Sequence, residues 1–192
     1  CYVYSRAALD NAYREFDAAF ADRDHLLCYA VKANPNIAIL DLFARLGSGF
    51  DIVSGGELQR VLKVGGNPQK IVFSGVGKNY SEIQNALSVN ILCFNVESEA
   101  ELIVINQIAK GMNKIASVSI RVNPDVDAKT HPYISTGLKE NKFGVPFNEA
   151  EKLYILGKKL PNIRMNGLDF HIGSQLTELA PFSEASEKVI GL

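Results

Sequence analysis

The residue whose type and position point most directly to chemistry is Lys32, which follows the apolar run Leu26-Leu27-Cys28-Tyr29-Ala30-Val31. An ammonium set directly after a buried strand carries a desolvation cost, and burial lowers a lysine's pKa. A neutral amine attacks an aldehyde to make an imine. The alternative is a strand-end lysine whose stem lies on apolar surface while its head reaches solvent. Position alone leaves both open. His171 lies in Asp169-Phe170-His171-Ile172-Gly173-Ser174, at the mouth of another apolar run. An imidazole there can stack on a planar ring, Gly173 allows close backbone approach, and Ser174 can donate a hydrogen bond to phosphate. The same segment also reads as a capped strand end with a core histidine.

Asp51 and Arg121 adjoin apolar strands, and a charge in that position needs a partner. They pair with one another or with neighbouring strands, or Asp51 positions the Lys32 amine and Arg121 holds one side of a planar ligand. Other chemistries find less support. Gly75-Val76-Gly77-Lys78 lacks the first glycine and the final Ser/Thr of a phosphate loop, where Val72 and Asn79 stand. Tyr80 replaces the third glycine of a dinucleotide fingerprint. His25, His131 and His171 are far apart and form no metal-spaced set, so no metal is expected. No nucleophile elbow occurs. Chemistry on this chain therefore leans on an organic cofactor.

The chain has 192 residues, 47% hydrophobic and 21% charged, with a formal net charge of −1. That balance gives no field for nucleic acid or an anionic membrane, and neither is expected as a partner. No apolar run reaches bilayer length, and no leader pattern opens the chain. Cys28 and Cys93 sit inside apolar runs and read as small buried hydrophobes. A reducing, cytoplasmic setting is expected.

These residues must be positioned by an alternation of strands and helices. After an opening strand Tyr2-Val3-Tyr4, a helix with Leu9, Ala12, Phe16 and Phe20 on one face is predicted. Asn34-Pro35 then reads as the cap and first turn of a helix that turns Ile37, Leu40, Phe43 and Ala44 inward and ends at Gly47. Strands at 50–53, 71–73, 91–96 and 115–122 recur at intervals of roughly 20 to 25 residues, and a last strand at 167–172 follows a longer interval. Ser54-Gly55-Gly56-Glu57 and Ser98-Glu99-Ala100-Glu101 carry capping-box spacing before helices. Residues 125–145 form a long polar loop of the kind that is usually functional. Strands apolar on both faces, alternating with helices, imply a parallel sheet covered by helices.

Polar residues stand at successive strand ends: Lys32, Ser54, Lys78, Glu97, Arg121, His171 and Ser174. That distribution favours a barrel over a doubly wound sheet. Six barrel-type βα units are counted, and a closed barrel has eight. The expected fold is therefore α/β, a partial TIM (β/α)8 barrel, with the chain a part of something longer.

Several motifs, in order, carry a resemblance. Tyr29-Ala30-Val31-Lys32-Ala33-Asn34 resembles the cofactor-lysine motif of the alanine-racemase-like, fold type III pyridoxal-phosphate enzymes. Residues 50–58, 121–126 and 130–137, Lys142-Phe143-Gly144, and His171-Ile172-Gly173-Ser174-Gln175 are similar to the diaminopimelate decarboxylase branch of that family. The resemblance implies pyridoxal 5'-phosphate as cofactor and decarboxylation of meso-2,6-diaminopimelate to L-lysine and carbon dioxide, the last step of lysine synthesis. It implies Lys32 as catalytic covalent anchor and Ala30, Asp51, Arg121, His171 and Ser174 as cofactor-binding residues, with His171 on the ring and Ser174 at the phosphate.

Residues 1–192 would form an incomplete cofactor-binding barrel, with residues 1–5 a strand that joins an absent C-terminal β domain. Residues 125–143 are similar to a loop over the substrate. The resemblance implies that the full-length protein is a homodimer with shared active sites, so the chain alone is expected to be inactive. A basic-amino-acid or carboxypolyamine decarboxylase of the same fold type, and a non-catalytic cofactor-binding barrel, are the alternatives.

Overall fold

The computed structural model describes residues 1–126, 143–174 and 176–192. It divides into an N-terminal unit, Cys1–Leu92, and a C-terminal unit, Cys93–Leu192. The expectations placed on residues 130–137, on Lys142 and on Gln175 lie outside the described residues.

The N-terminal unit runs α1 (Arg6–Ala19), β1 (Cys28–Ala30), α2 (Ile37–Leu46), β2 (Gly49–Ile52), α3 (Gly55–Lys63), β3 (Ile71–Phe73) and α4 (Tyr80–Ser88). A single helical turn, Val31–Ala33, follows β1 at once. The strands are parallel, with Tyr29 beside Phe50 and Phe50 beside Ile71, then Ala30 beside Asp51 and Asp51 beside Val72. Phe50, Ile52, Ile71 and Phe73 are fully buried with Leu40, Leu58 and Ile83 of the helices. Burial of each such side chain contributes about 1.5–3 kcal/mol. Asp51 alternates with that apolar set and is half-buried on the other face.

Local signals place the helix starts. Gly47 ends α2 with φ +87, a conformation that favours glycine. Asn36, not Asn34, caps α2: Asn34 Oδ1 instead accepts from the Asn36 amide, bridging Pro35, and Asn36 Oδ1 accepts from Ala38. Ile37 consequently faces outward, and Ile39, Leu40, Leu42 and Phe43 are the buried residues.

Tyr2-Val3-Tyr4 is exposed and lies in no strand ladder among the described residues. Helix α1 forms, capped by Ser5, but none of its residues is buried and Phe16 is 60% exposed. Its inner stripe is Leu9 and Tyr13, the latter edge-on to Phe43 with ring centroids 6.1 Å apart.

The C-terminal unit runs β4 (Cys93–Val96), α5 (Glu99–Gly111), β5 (Ala116–Asn123), β6 (Val145–Pro146), α6 (Phe147–Lys159), β7 (Ile163–Asp169) and α7 (Ala180–Ile190). Strand β5 is parallel to β4 on one edge. On the other it pairs with β7 as far as Arg121 beside Asp169, then with β6 at Val122 and Asn123. A small cluster of Val126, Ile172 and Ala185, with Phe170 and Leu176 against it, seats α7.

The sheet is parallel as expected, but it is not apolar on both faces. Along β5, Val118, Ile120 and Val122 lie in the apolar core, while Ser117, Ser119, Arg121 and Asn123 alternate with them. Three of these polar residues are nonetheless buried, and Ser119 Oγ donates to Asn95 Oδ1 at 2.5 Å. A buried polar face needs such internal partners. Among the described residues no helix is long and apolar enough to cross a membrane.

Candidate functional site

Lys32 occupies the helical turn that β1 leads into. Val31 beside it is fully buried and pins the turn. The Tyr29 ring stacks on Phe43, centroids 4.2 Å apart, and its hydroxyl donates to the Asn34 carbonyl at 3.3 Å, closing the chain around Lys32. Burial raises the Tyr29 phenol above its ordinary pKa, so it remains a donor at neutral pH.

Lys32 itself is exposed, which agrees with the reading in which its head reaches solvent. Strand β1 stands at the end of the strand order, paired on one side by β2, and its three residues are only half-buried. Among the described residues the Lys32 ammonium has no hydrogen-bond or ion-pair partner.

Ala30 and Asp51 are register neighbours on one sheet face. Asp51 is not bonded to Lys32; its Oδ1 accepts from Ser74 Oγ at 2.6 Å, and the Ser74 amide donates to the Ile52 carbonyl. Helix α3 begins beside this pair through interlocking caps. Ser54 Oγ accepts from the Glu57 amide, and Glu57 Oε2 reaches past its helix to the Val53 amide at 2.7 Å. The Gly55 amide donates to Glu82 Oε1, while Glu82 Oε2 closes a capping box with Asn79 at the start of α4. A Cβ on Gly55 would stand 2.9 Å from Glu82 Cγ, so a larger residue there would require the Glu82 side chain to shift. Lys78, in the turn resembling a phosphate loop, folds back to donate to the Gly75 carbonyl at 2.7 Å.

In the C-terminal unit Arg121 is enclosed. Its Nη1 donates to Glu97 Oε1 at 3.0 Å, with the two side chains 12% and 3% exposed. Phe143 lies over the guanidinium, 5.2 Å from ring centroid to Cζ. Glu97 Oε2 accepts from the Gly144 amide at 3.1 Å. Gly144 has φ +78, and a Cβ there would meet the Arg121 carbonyl at 3.0 Å. Asp51 and Arg121 thus find separate partners on neighbouring strand ends. His171 lies two residues past β7, half-buried, with Ile172 and Gly173 buried and Ser174 exposed. Gly173 has φ +150, which favours glycine.

Sequence reasoning placed Glu97 at a strand end without giving it a role, and it did not name Ser74. The signal for Glu97 was a carboxylate directly after β4 and just before the Ser98 cap. Ser74 stands in the same way after β3.

A family model described as "Pyridoxal-dependent decarboxylase, pyridoxal binding domain" matches residues 6–192. The chain belongs to this family. Among curated relatives it is 62% identical over 191 residues to a diaminopimelate decarboxylase of Haemophilus influenzae and 57% identical to one of Vibrio cholerae. Both alignments cover all of this chain and 46% of the relative, so the chain spans about half the length of these proteins. A solved Helicobacter pylori diaminopimelate decarboxylase complexed with L-lysine is 52% identical, with a TM-score of 0.96 over 98% of this chain and 48% of that one. The fold is accordingly α/β, a partial barrel of the pyridoxal binding domain of fold type III decarboxylases.

The residues fit the cofactor of this family. Lys32 offers a primary amine, unpaired among the described residues, on a pinned turn, the group an aldehyde condenses with. Asp51 is fixed as an acceptor by Ser74. Among the described residues Arg121 commits one N–H to Glu97 and retains its others as donors.

Proposed function

We propose that this chain is the cofactor-binding part of an enzyme that decarboxylates meso-2,6-diaminopimelate to L-lysine and carbon dioxide with pyridoxal 5'-phosphate. The observation that carries this reading is 62% identity, over the whole chain, to a diaminopimelate decarboxylase. Bound pyridoxal phosphate would supply the conjugated ring that takes up the electron pair left when the carboxylate departs. Lys32 would anchor the cofactor and yield to the substrate's amino group. Ala30, on the register row of Asp51, leaves room by its small side chain, and Asp51 is held by Ser74 as a fixed acceptor. Arg121 would donate to the cofactor, His171 would lie on its ring, and Ser174, beside the glycine with positive φ, would donate to its phosphate.

The reading extends to a chain of the relatives' length that acts as a cytoplasmic homodimer with shared sites. Residues 1–5 would then gain a strand partner outside this chain, and residues 1–192 by themselves would be inactive. The test is carbon dioxide release by the full-length protein, loaded with cofactor, from diaminopimelate against L-arginine, L-ornithine and L-lysine. Preference for diaminopimelate is expected. Cofactor uptake without release of carbon dioxide from it would sink the proposal. Turnover by the 192-residue chain would sink its last part.

A further inference from the structure

Among the described residues of the C-terminal unit, Glu97 is a buried charge that the proposed chemistry does not use. Its two carboxylate oxygens go to different places: Oε1 takes the Arg121 guanidinium, and Oε2 takes the Gly144 amide. The guanidinium is therefore held at its edge by Glu97 and covered on a face by Phe143, the residue before Gly144. Gly144 in turn has φ +78 and lies close to the Arg121 carbonyl, so a side chain there would be strained. Edge, face and backbone contacts converge on one arginine, and each passes through Glu97 or through the backbone that Glu97 fastens.

We infer that Glu97 is a positioning residue that sets the orientation of Arg121 and fastens the chain at Phe143-Gly144 onto β5. The carboxylate supplies the counter-charge that a buried guanidinium requires. Its second oxygen fixes the rotation that a single contact would leave free. The remaining N–H groups of Arg121 are thereby presented in one direction. The inference rests on the reading of Arg121 as a cofactor-binding residue.

The test uses the full-length apoenzyme titrated with pyridoxal phosphate, with affinity read from the visible absorbance of bound cofactor. Wild type, Glu97→Gln, Arg121→Gln and the double variant form a cycle. Each single variant is expected to weaken cofactor binding about tenfold, and the double variant no further, since Glu97 acts through Arg121. The visible circular dichroism of bound cofactor should change in the same sense in both single variants. An unchanged affinity in Glu97→Gln, or losses that multiply to about a hundredfold in the double variant, overturns the positioning role. An unchanged affinity in Arg121→Gln overturns instead the reading of Arg121, and this inference falls with it. Should Glu97→Gln not fold, Glu97→Asp keeps the charge but shortens the reach, and the same non-additivity is expected of it.

Discussion

Lys32 and Arg121 are both cations at the end of a strand in a parallel sheet, and the fold treats them in opposite ways. Lys32 rides an exposed turn beyond an edge strand and, among the described residues, touches no counter-charge. Arg121 is enclosed, paired with a carboxylate that is itself almost wholly buried, and capped by an aromatic ring. A group that must form and break a bond has to remain uncommitted. A group that must hold still has its freedom removed by contacts that compensate its desolvation. On the proposed reading, the same residue class at a strand end would serve reaction in one unit and rigidity in the other.

The comparison breaks most sharply at Lys32. In the full-length holoenzyme Lys32→Ala is expected to abolish the visible band of bound cofactor and to cut turnover by on the order of a thousandfold or more. Because the residue is exposed, the stability of the cofactor-free protein should stay within about 0.5 kcal/mol. Absorbance with thermal denaturation checks both halves, and a destabilised variant would contradict the division.

The reverse is expected of the buried pair. Glu97→Ala leaves a guanidinium without its counter-charge and should cost about 3–5 kcal/mol. Replacing both partners, Glu97→Met with Arg121→Met, should recover most of that loss in urea denaturation. If the double variant is as unstable as the single one, the pair is not the source of the cost.

The two units agree in how they start a helix after a strand, which gives a smaller test. Ser54 and Ser98 each accept from the amide three residues on, and Glu57 and Glu101 each reach back to the amide just before that serine. Ser54→Ala and Ser98→Ala should each cost about 1 kcal/mol. A difference well beyond that between them would show that the caps are not equivalent.

The smallest effect belongs to an exposed pair in the N-terminal unit. The His25 ring nitrogens lie 2.8 Å from the Arg23 carbonyl and 3.0 Å from the Asp17 carboxylate, and the ring stacks on Phe20. The Arg23 carbonyl first, and Asp17 second, raise its pKa above 6.5. A raised folded value means the contribution to stability is full below the ordinary histidine range and is lost as pH rises through the raised value. Proton NMR titration of His25 should show a lower midpoint in Asp17→Asn. An unmoved midpoint would remove Asp17 from that account.

Much of this was legible in the residues. Apolar runs gave the strands to within a few positions, except that β7 lies earlier than expected, at Ile163–Asp169, which leaves His171 beyond the strand. The polar face of β5 was passed over by the expectation of strands apolar on both faces, although Ser117, Ser119, Arg121 and Asn123 recur at a period of two. The exposure of Phe16 was not legible: a helical period marks a stripe without saying what covers it. Nor was the choice of partner for Arg121, because Glu97 is 24 residues away and meets it only through the pairing of β4 with β5.

The sequence by itself determined the strand-helix alternation, the helix caps and the motif around Lys32. These rest on contacts between residues close in the chain, or on residue types that only certain backbones accept. Tertiary structure decided that Lys32 is open to solvent, that Ser74 holds Asp51, and that Glu97 fastens Arg121 to Gly144. Each of those depends on which strands become neighbours and in what register, and a one-residue slip would have turned every one of these side chains to the other face.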